Sequence, residues 1–151
     1  RRQDSAKAQA VLHALEIAPL AQKNINQISG GELQMCYFAK ALAADPDVMI
    51  LDEPESNLDF YNQAKMIEML WRLAKEQQMT IVLNTHFLHY ADRISDKCLL
   101  MNKRQCMFGD KNALLQEDIL ERYFQVPVRK CRYEYAGVSE ETFIVALRHP
   151  A

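Results

Sequence analysis

Three side chains that could assist phosphoryl transfer to water follow two apolar runs of the sequence. Asp52 and Glu53 come directly after the run Val48 to Leu51, and His86 follows "TIVLNT". An aspartate at the end of a strand can hold the water shell of a magnesium ion, and a neighbouring glutamate can orient or deprotonate an attacking water. The acids could instead cap the turn at Pro54, and His86 could be a satisfied histidine at a strand end. These residues alone leave both interpretations open.

A second candidate site is the segment "SGGE", from Ser29 to Glu32. Ser-x-x-Glu is the pattern of a capping box, in which Ser29 caps a helix and Glu32 hydrogen-bonds back to it. The N-terminus of a helix also attracts anions, and Gly30 and Gly31 would let a phosphate approach its backbone N–H groups. The short motif does not separate simple capping from phosphate binding.

Alternating helices and strands would position these residues. Apolar periodicity and turn residues predict helices at 4–18, 30–44, 60–77 and 87–94, and strands at 48–51, 79–86 and 96–102. The strand at 48–51 is predicted to be buried, since its four residues are all apolar. Asp59 is placed to cap the helix that begins at Phe60. Its buried stripe is predicted to comprise Ala64, Ile67, Leu70, Trp71 and Ala74.

The order of these elements predicts an α/β fold with a parallel sheet and flanking helices. Ligands of such sheets bind beyond the carboxyl ends of the strands, where Asp52, Glu53 and His86 would lie. Further along, residues 106–109 are predicted to form a hairpin with the third strand. Asp110 and Asp118 are each predicted to precede a short helix, and "KCRYEY" and "TFIVAL" to form two small strands around Gly137.

Composition excludes several classes of protein. The 151 residues carry a net charge of −2 without a long basic run, which argues against a dedicated nucleic-acid surface. No apolar stretch approaches the roughly 20 residues that span a bilayer. The four cysteines are scattered, a pattern typical of reduced thiols rather than of a zinc site or a disulfide framework. Because the chain begins with Arg1 and not with Met, we expect it to be a fragment or a processed product.

The segment "ISGGELQMCYFAKALAADPDVMILDEPESNLD", followed by "IVLNTH", resembles the C-terminal half of an ATP-binding cassette (ABC) ATPase. It matches the signature motif, Walker B, the D-loop and the H-loop in the order and spacing of that family. The resemblance implies a partial P-loop NTPase fold without its N-terminal phosphate-loop half. It also implies three parts: a partial helical subdomain (1–44), the C-terminal part of the ATPase core (45–126) and a small tail (127–151). The tail segment "LLQEDILERYFQVPV" resembles importers of ferric siderophores, haem and cobalamin.

The resemblance assigns the signature segment to an interface with a second ATPase subunit. In this family two ATPase domains close head to tail, and the signature of one contacts the γ-phosphate held by the other. Ser29, Gly30 and Gly31 would then present a hydroxyl and backbone N–H groups to the partner's ATP. Glu32 would cap its own helix beside them, and Asp59 in the D-loop would meet the opposite subunit. Capping and phosphate binding can therefore hold together.

The resemblance also assigns hydrolytic roles at the ends of the two strands. Asp52 would bind Mg²⁺ through water, Glu53 would position the attacking water as general base, and His86 would sense the γ-phosphate as the switch histidine. The family's Gly-x-x-x-x-Gly-Lys-Ser/Thr loop is missing from the chain. The parent protein is therefore expected to be an ATPase, whereas the chain alone is not expected to turn over ATP.

The leading hypothesis is an energy-coupling subunit of an importer of metal chelates such as iron-siderophore. It would lie in the cytoplasm on the inner face of the cell membrane, docked on a transmembrane permease. One alternative is a non-transport ABC ATPase that acts on DNA or ribosomes, although no direct nucleic-acid binding is expected. Another is a catalytically inert interaction fragment. A phosphate loop upstream of this chain and a neighbouring permease gene would favour transport.

Overall fold

The computed structural model describes residues 2–146, with side chains from residue 5 onward. Its contacts divide the chain into two compact units, one ending at His86 and the other beginning at Phe87. Both contain helices and strands, so the α/β class predicted from the sequence is confirmed. The division into residues 1–44, 45–126 and 127–151 stays a prediction. No helix within residues 2–146 combines the length and the apolar character that crossing a bilayer requires.

Three α-helices and two short 3₁₀ helices belong to the first unit. They are α1 (Arg2–Ala14), the 3₁₀ helices Ala18–Gln22 and Ile25–Gln27, α2 (Gly30–Ala43) and α3 (Phe60–Lys75). The first helix was predicted to continue to Ala18, but it ends at Ala14. Glu16 has a φ of 55°, in the left-handed region, and a right-handed helix cannot pass through a residue in that conformation. The other predicted helix starts in this unit are confirmed.

The first unit also contains the predicted parallel pair of strands, β1 (Val48–Asp52) and β2 (Thr80–Asn84). Met49 is buried on one face of this pair, whereas Ile50 and its neighbour Val82 on the other face are 76 and 54% exposed. The prediction that the whole apolar run is buried is therefore wrong. Successive residues of a strand point to opposite faces, and the described residues of this chain leave one of these faces open.

The buried face of α3 differs from the predicted stripe. Ile67 and Leu70 are buried as predicted, but Trp71 is 39% exposed. The buried residues of the helix are Gln63, Met66, Ile67, Leu70 and Leu73. The stripe is therefore rotated toward Met66 and Leu73 and away from Trp71. Helical periodicity indicates that one face is apolar, but the neighbouring elements decide which side of a wide apolar face is covered.

The described part of the second unit, residues 87–146, contains three helices and two antiparallel hairpins. Its elements are α4 (Leu88–Ile94), β3 (Lys97–Met101), β4 (Cys106–Asp110), α5 (Lys111–Leu114), α6 (Glu117–Phe124), β5 (Val128–Tyr135) and β6 (Val138–Val145). One apolar cluster forms its core, including Leu100, Leu120, Val128 and Phe143. The predicted hairpin between the third strand and residues 106–109 is confirmed.

Two predictions for this unit need correction. The third strand was expected to extend a parallel sheet, but β3 and β4 form an antiparallel sheet of two strands, which a four-residue connection allows. Asp118 was expected to precede a helix, but it lies in the first turn of α6, whose N-cap is Gln116. The predicted strands around Gly137 are confirmed as β5 and β6, although Leu147 lies outside the described residues.

Candidate active site

The capping box predicted at Ser29 is confirmed at the N-terminus of α2. The Ser29 hydroxyl accepts a hydrogen bond from the backbone N–H of Glu32 at 3.1 Å, and the Ser29 N–H donates to Glu32 Oε2 at 2.7 Å. Lys23 Nζ lies 3.2 Å from the other carboxylate oxygen, Oε1. The backbone hydrogen bond from Ser29, followed by that from Lys23, lowers the pKa of Glu32 from its ordinary value. The Glu32 side chain is therefore engaged within its own chain.

The two glycines after Ser29 have different surroundings. A Cβ atom added to Gly31 would lie 2.9 Å from the carbonyl oxygen of Asn57, so Gly31 is needed for close packing against the loop after β1. A Cβ atom added to Gly30 would meet nothing within 4 Å. Packing inside the chain therefore explains Gly31 but not Gly30. The space beside Gly30 is open for a ligand to approach the start of α2.

The two parallel strands end in a group of hydrogen-bonded polar side chains. Asp52 Oδ1 accepts a hydrogen bond from the Asn84 side-chain amide at 2.7 Å. The backbone N–H of Glu53 donates to the carbonyl oxygen of Asn84 at 2.9 Å. His86 Nε2 lies 2.7 Å from Glu53 Oε1, and the side chains of His86 and Glu53 are 79 and 38% exposed. The structure therefore brings Glu53 and His86 together where water or a ligand can reach them.

Glu53 has an unusual backbone conformation, with a φ of 43°. A residue other than glycine is uncommon in this left-handed region, and such residues are enriched at functional sites. The conformation turns the chain sharply out of β1 and lets the Ser56 N–H donate to the Glu53 carbonyl at 3.1 Å. Glu53 thus combines a strained backbone conformation with a short side-chain contact to His86.

The loop between β1 and α3 is fixed from both sides. The Gln34 side-chain amide of α2 donates to the Pro54 carbonyl at 3.2 Å, which connects the helix of the capping box to the loop of the acids. At the other end, Asp59 Oδ1 accepts from the backbone N–H of Asn62 at 2.8 Å, so the predicted cap of α3 is confirmed. The Asp59 carboxylate therefore serves its own helix.

Sequence reasoning did not single out Glu55 of this loop. Its side chain is 0% exposed, and its Oε1 accepts a hydrogen bond from the Thr85 hydroxyl. An acid in a short polar loop is ordinarily exposed, so the sequence holds no signal of this burial. The pairing becomes visible only once the ends of β1 and β2 lie side by side.

The arrangement fits a site that handles phosphate with the help of Mg²⁺. Mg²⁺ keeps several waters and usually takes one or two carboxylates together with substrate phosphates. Asp52 is exposed at the end of β1 and can contribute one such carboxylate. Across residues 2–146, no three His, Cys, Asp or Glu side chains converge on a metal position. A hydrated Mg²⁺ held by Asp52 would need further oxygens from a bound phosphate ligand.

Comparisons with known proteins point to one family. The sequence profile of the family described as "ABC transporter" matches residues 2–56. The molybdate import ATP-binding protein of Haemophilus influenzae is 33% identical over 132 residues, which cover 87% of this chain and 52% of that protein. The zinc import ATP-binding protein of Brucella suis is 37% identical over 100 residues, which cover 66% of this chain and 34% of that protein. The chain thus spans about half or less of these relatives.

Solved structures agree with the sequence matches. One is described as an inward-facing conformation of an ABC transporter of the metal-chelate type, with a TM-score of 0.85, 31% identity and coverage of 94% of this chain and 57% of that chain. Another is a dimeric ATP-binding cassette bound to ADP and phosphate, with a TM-score of 0.64, 26% identity and coverage of 70 and 46%. The partial P-loop NTPase fold is thereby confirmed. The chain belongs to the ATP-binding cassette family of ATPases, and its extent agrees with the C-terminal half of such a domain.

Proposed function

We propose that this chain forms the hydrolytic half of an ATPase subunit that energises an ABC importer. The observation that carries the proposal is the 2.7 Å contact between Glu53 and His86 at the carboxyl ends of two parallel strands. A carboxylate oriented by a histidine and open to solvent can hold and deprotonate a water. Hydrolysis of a phosphoanhydride needs such a water in line with the phosphorus.

Each residue at the strand ends has a separate task in this proposal. Bound ATP and Mg²⁺ supply the reactive phosphoryl group and the charge that stabilises its transfer. Glu53 orients the attacking water and accepts its proton. His86 holds Glu53 through Nε2 and responds to the γ-phosphate. Asp52, fixed by the Asn84 amide at 2.7 Å, is the carboxylate that faces the hydrated metal.

The N-terminus of α2 serves a second ATPase subunit in a head-to-tail dimer. Ser29, Gly30 and Gly31 would face the nucleotide held by the partner, and Asp59 would lie near the opposite subunit. The open space beside Gly30 supports this assignment, because a Cβ atom added there would meet none of the described residues within 4 Å. Glu32 contributes indirectly by holding the Ser29 N–H at 2.7 Å. The dimeric cassette described above is a precedent for the assembly.

The proposed partner in the membrane is a permease, with this subunit docked on its cytoplasmic side. The proposed cargo is a metal chelate such as iron-siderophore. Support for this cargo comes from the structural match to a transporter of the metal-chelate type at a TM-score of 0.85. The named import ATPases of Haemophilus and Brucella handle molybdate and zinc, so they support import more than they support a particular cargo.

The phosphate cradle of the active enzyme is proposed to lie in another part of the full-length protein. The chain contains no Gly-x-x-x-x-Gly-Lys-Ser/Thr, and it spans about half of the molybdate relative. Backbone N–H groups and the lysine of such a loop hold the β- and γ-phosphates. The proposed activity therefore belongs to the full-length protein.

Phosphate release by the full-length protein with Mg-ATP tests the proposal. Glu53→Gln should lower the rate of ATP turnover by about 100-fold or more, because a neutral amide cannot accept the proton of the attacking water. ATP binding should persist. Glu68→Ala, at an exposed glutamate of α3 paired with Arg72, is the matched control and should leave the rate unchanged. Stimulation by a permease in vesicles would support transport. Stimulation by DNA or ribosomes instead would support the non-transport alternative, and Glu53-independent hydrolysis would contradict the assigned base.

A further inference from the structure

Glu55 is a buried glutamate that has no role in the ATP hydrolysis proposed for Glu53, His86 and Asp52. It lies two residues after Glu53, and it is 0% exposed. Oε1 accepts a hydrogen bond from the Thr85 hydroxyl, whereas Oε2 is buried without a hydrogen-bond partner among the described residues. Burying a carboxyl group with an unsatisfied oxygen costs stability, and an apolar residue of similar size would avoid that cost. Packing alone therefore does not explain a glutamate at this position.

The bond from Thr85 connects the two segments that carry the proposed catalytic pair. Thr85 directly precedes His86 in the chain, and Glu55 follows Glu53 by two residues. The Glu55–Thr85 bond and the Glu53–His86 contact therefore run side by side between the same two segments. We therefore expect a change in the first contact to alter the position from which His86 reaches Glu53.

Hydrogen bonds hold the backbone of Glu55 in place within the loop between β1 and α3. The Gln63 side-chain amide donates to the Glu55 carbonyl at 3.2 Å and to the Leu58 carbonyl at 3.0 Å. The Leu58 N–H donates to the Glu55 carbonyl at 3.1 Å. Because its backbone is fixed in this way, Glu55 can act as an anchor for Thr85.

We infer that Glu55 is a positioning residue that holds Thr85 and thereby sets His86 against Glu53. The inference rests on the proposed function, and it adds a residue to which the sequence motifs assign no role. Catalytic groups need placement within a fraction of an ångström, and a supporting hydrogen bond outside the reacting atoms can provide it. Glu55 itself touches neither water nor nucleotide in this scheme.

Steady-state phosphate release by the full-length protein tests the inference. Glu55→Ala should lower kcat by about 10- to 100-fold, while the KM for ATP changes by less than about twofold, since orientation and not binding is lost. Thr85→Val removes the hydroxyl that donates the hydrogen bond to Glu55. It should likewise lower kcat and leave the KM for ATP almost unchanged. Glu55→Gln and Thr85→Ser keep the hydrogen bond and should restore kcat to within about threefold of wild type. Glu68→Ala controls for loss of a glutamate elsewhere.

The outcomes separate this inference from the proposed function. If the wild-type protein shows no Glu53-dependent phosphate release, the proposed function fails and the positioning role fails with it. If release depends on Glu53 but Glu55→Ala and Thr85→Val keep the wild-type kcat, only the positioning role is overturned. A loss that Glu55→Gln does not restore, or one confined to KM, also overturns it. Should Glu55→Ala fail to fold, the Thr85 variants decide by the same criteria.

Discussion

At the scale of single residues, Gly30 and Gly31 differ in what surrounds them although they are neighbours in the chain. Gly31→Ala places a methyl group 2.9 Å from the Asn57 carbonyl oxygen, so we expect a loss of about 1–3 kcal/mol in the free energy of unfolding. Gly30→Ala meets no atom within 4 Å and should leave that free energy unchanged or slightly raised. Thermal or denaturant unfolding of the two variants measures the difference. Equal destabilisation would contradict the packing argument.

Glu32 gives the capping box a dependence on pH. Its pKa in the folded chain is lowered, chiefly by the hydrogen bond from the Ser29 N–H, so the folded state binds its proton less readily than the unfolded state does. The stabilisation is therefore present above the ordinary pKa of a glutamate and is lost as the pH falls through the lowered value. Glu32→Gln can keep the capping box but does not titrate.

Unfolding measured between about pH 3 and pH 6 tests this expectation. The free energy of unfolding of wild type should fall toward the acid end, and Glu32→Gln should fall less steeply. Asp45 beside Lys7 and Glu16 beside Lys65 also have lowered pKa values, so part of the slope should remain in the variant. Identical slopes for the two proteins would contradict a role for Glu32.

At the scale of elements, the start of α3 depends on Asp59. Its Oδ1 accepts from the Asn62 N–H at 2.8 Å, which satisfies one of the free N–H groups of the first turn. Asp59→Ala should therefore lower the free energy of unfolding by about 0.5–2 kcal/mol. Asp59→Asn keeps an acceptor oxygen and should lose little. Denaturant unfolding compares them, and an alanine variant as stable as wild type would show that the cap is dispensable.

Local signals predicted these element boundaries well. The Ser29 and Asp59 caps depend on residues three positions apart, so the spacing in the sequence was sufficient to identify them. The faces of β1 and α3 were less predictable. Ile50 is apolar yet exposed, and Trp71 lies at the edge of the buried side of α3, because burial depends on which distant element covers a face.

At the scale of the whole molecule, nucleotide binding should require more than this chain. With no phosphate loop in the sequence, we expect the 151-residue chain to bind Mg-ATP no better than about millimolar and to show no Glu53-dependent phosphate release. Titration calorimetry and a phosphate assay measure both, with Glu53→Gln as the control. Glu53-dependent turnover by the chain alone would mean that it or its oligomer supplies a cradle.

The open apolar face of the β1–β2 pair has a second consequence for the chain alone. Ile50 is 76% exposed, and Val48 and Val82 are more than half exposed. Exposed apolar faces promote association, so we expect the 151-residue chain to form oligomers. Ile50→Thr together with Val82→Thr should shift the sedimentation distribution toward monomer. A monomeric wild-type chain in sedimentation velocity would contradict this expectation.

The sequence by itself determined the α/β class, the helix caps at Ser29 and Asp59 and the order of the motifs, because these depend on side-chain type and on interactions between near neighbours. Tertiary structure alone decided that Glu53 and His86 meet at 2.7 Å, that Gly31 packs against Asn57, and that one face of β1 stays open. It also decided that Glu55 is buried against Thr85. The three contacts join residues that are 26 or more positions apart in the chain, so they appear only when β1, β2 and α2 pack together.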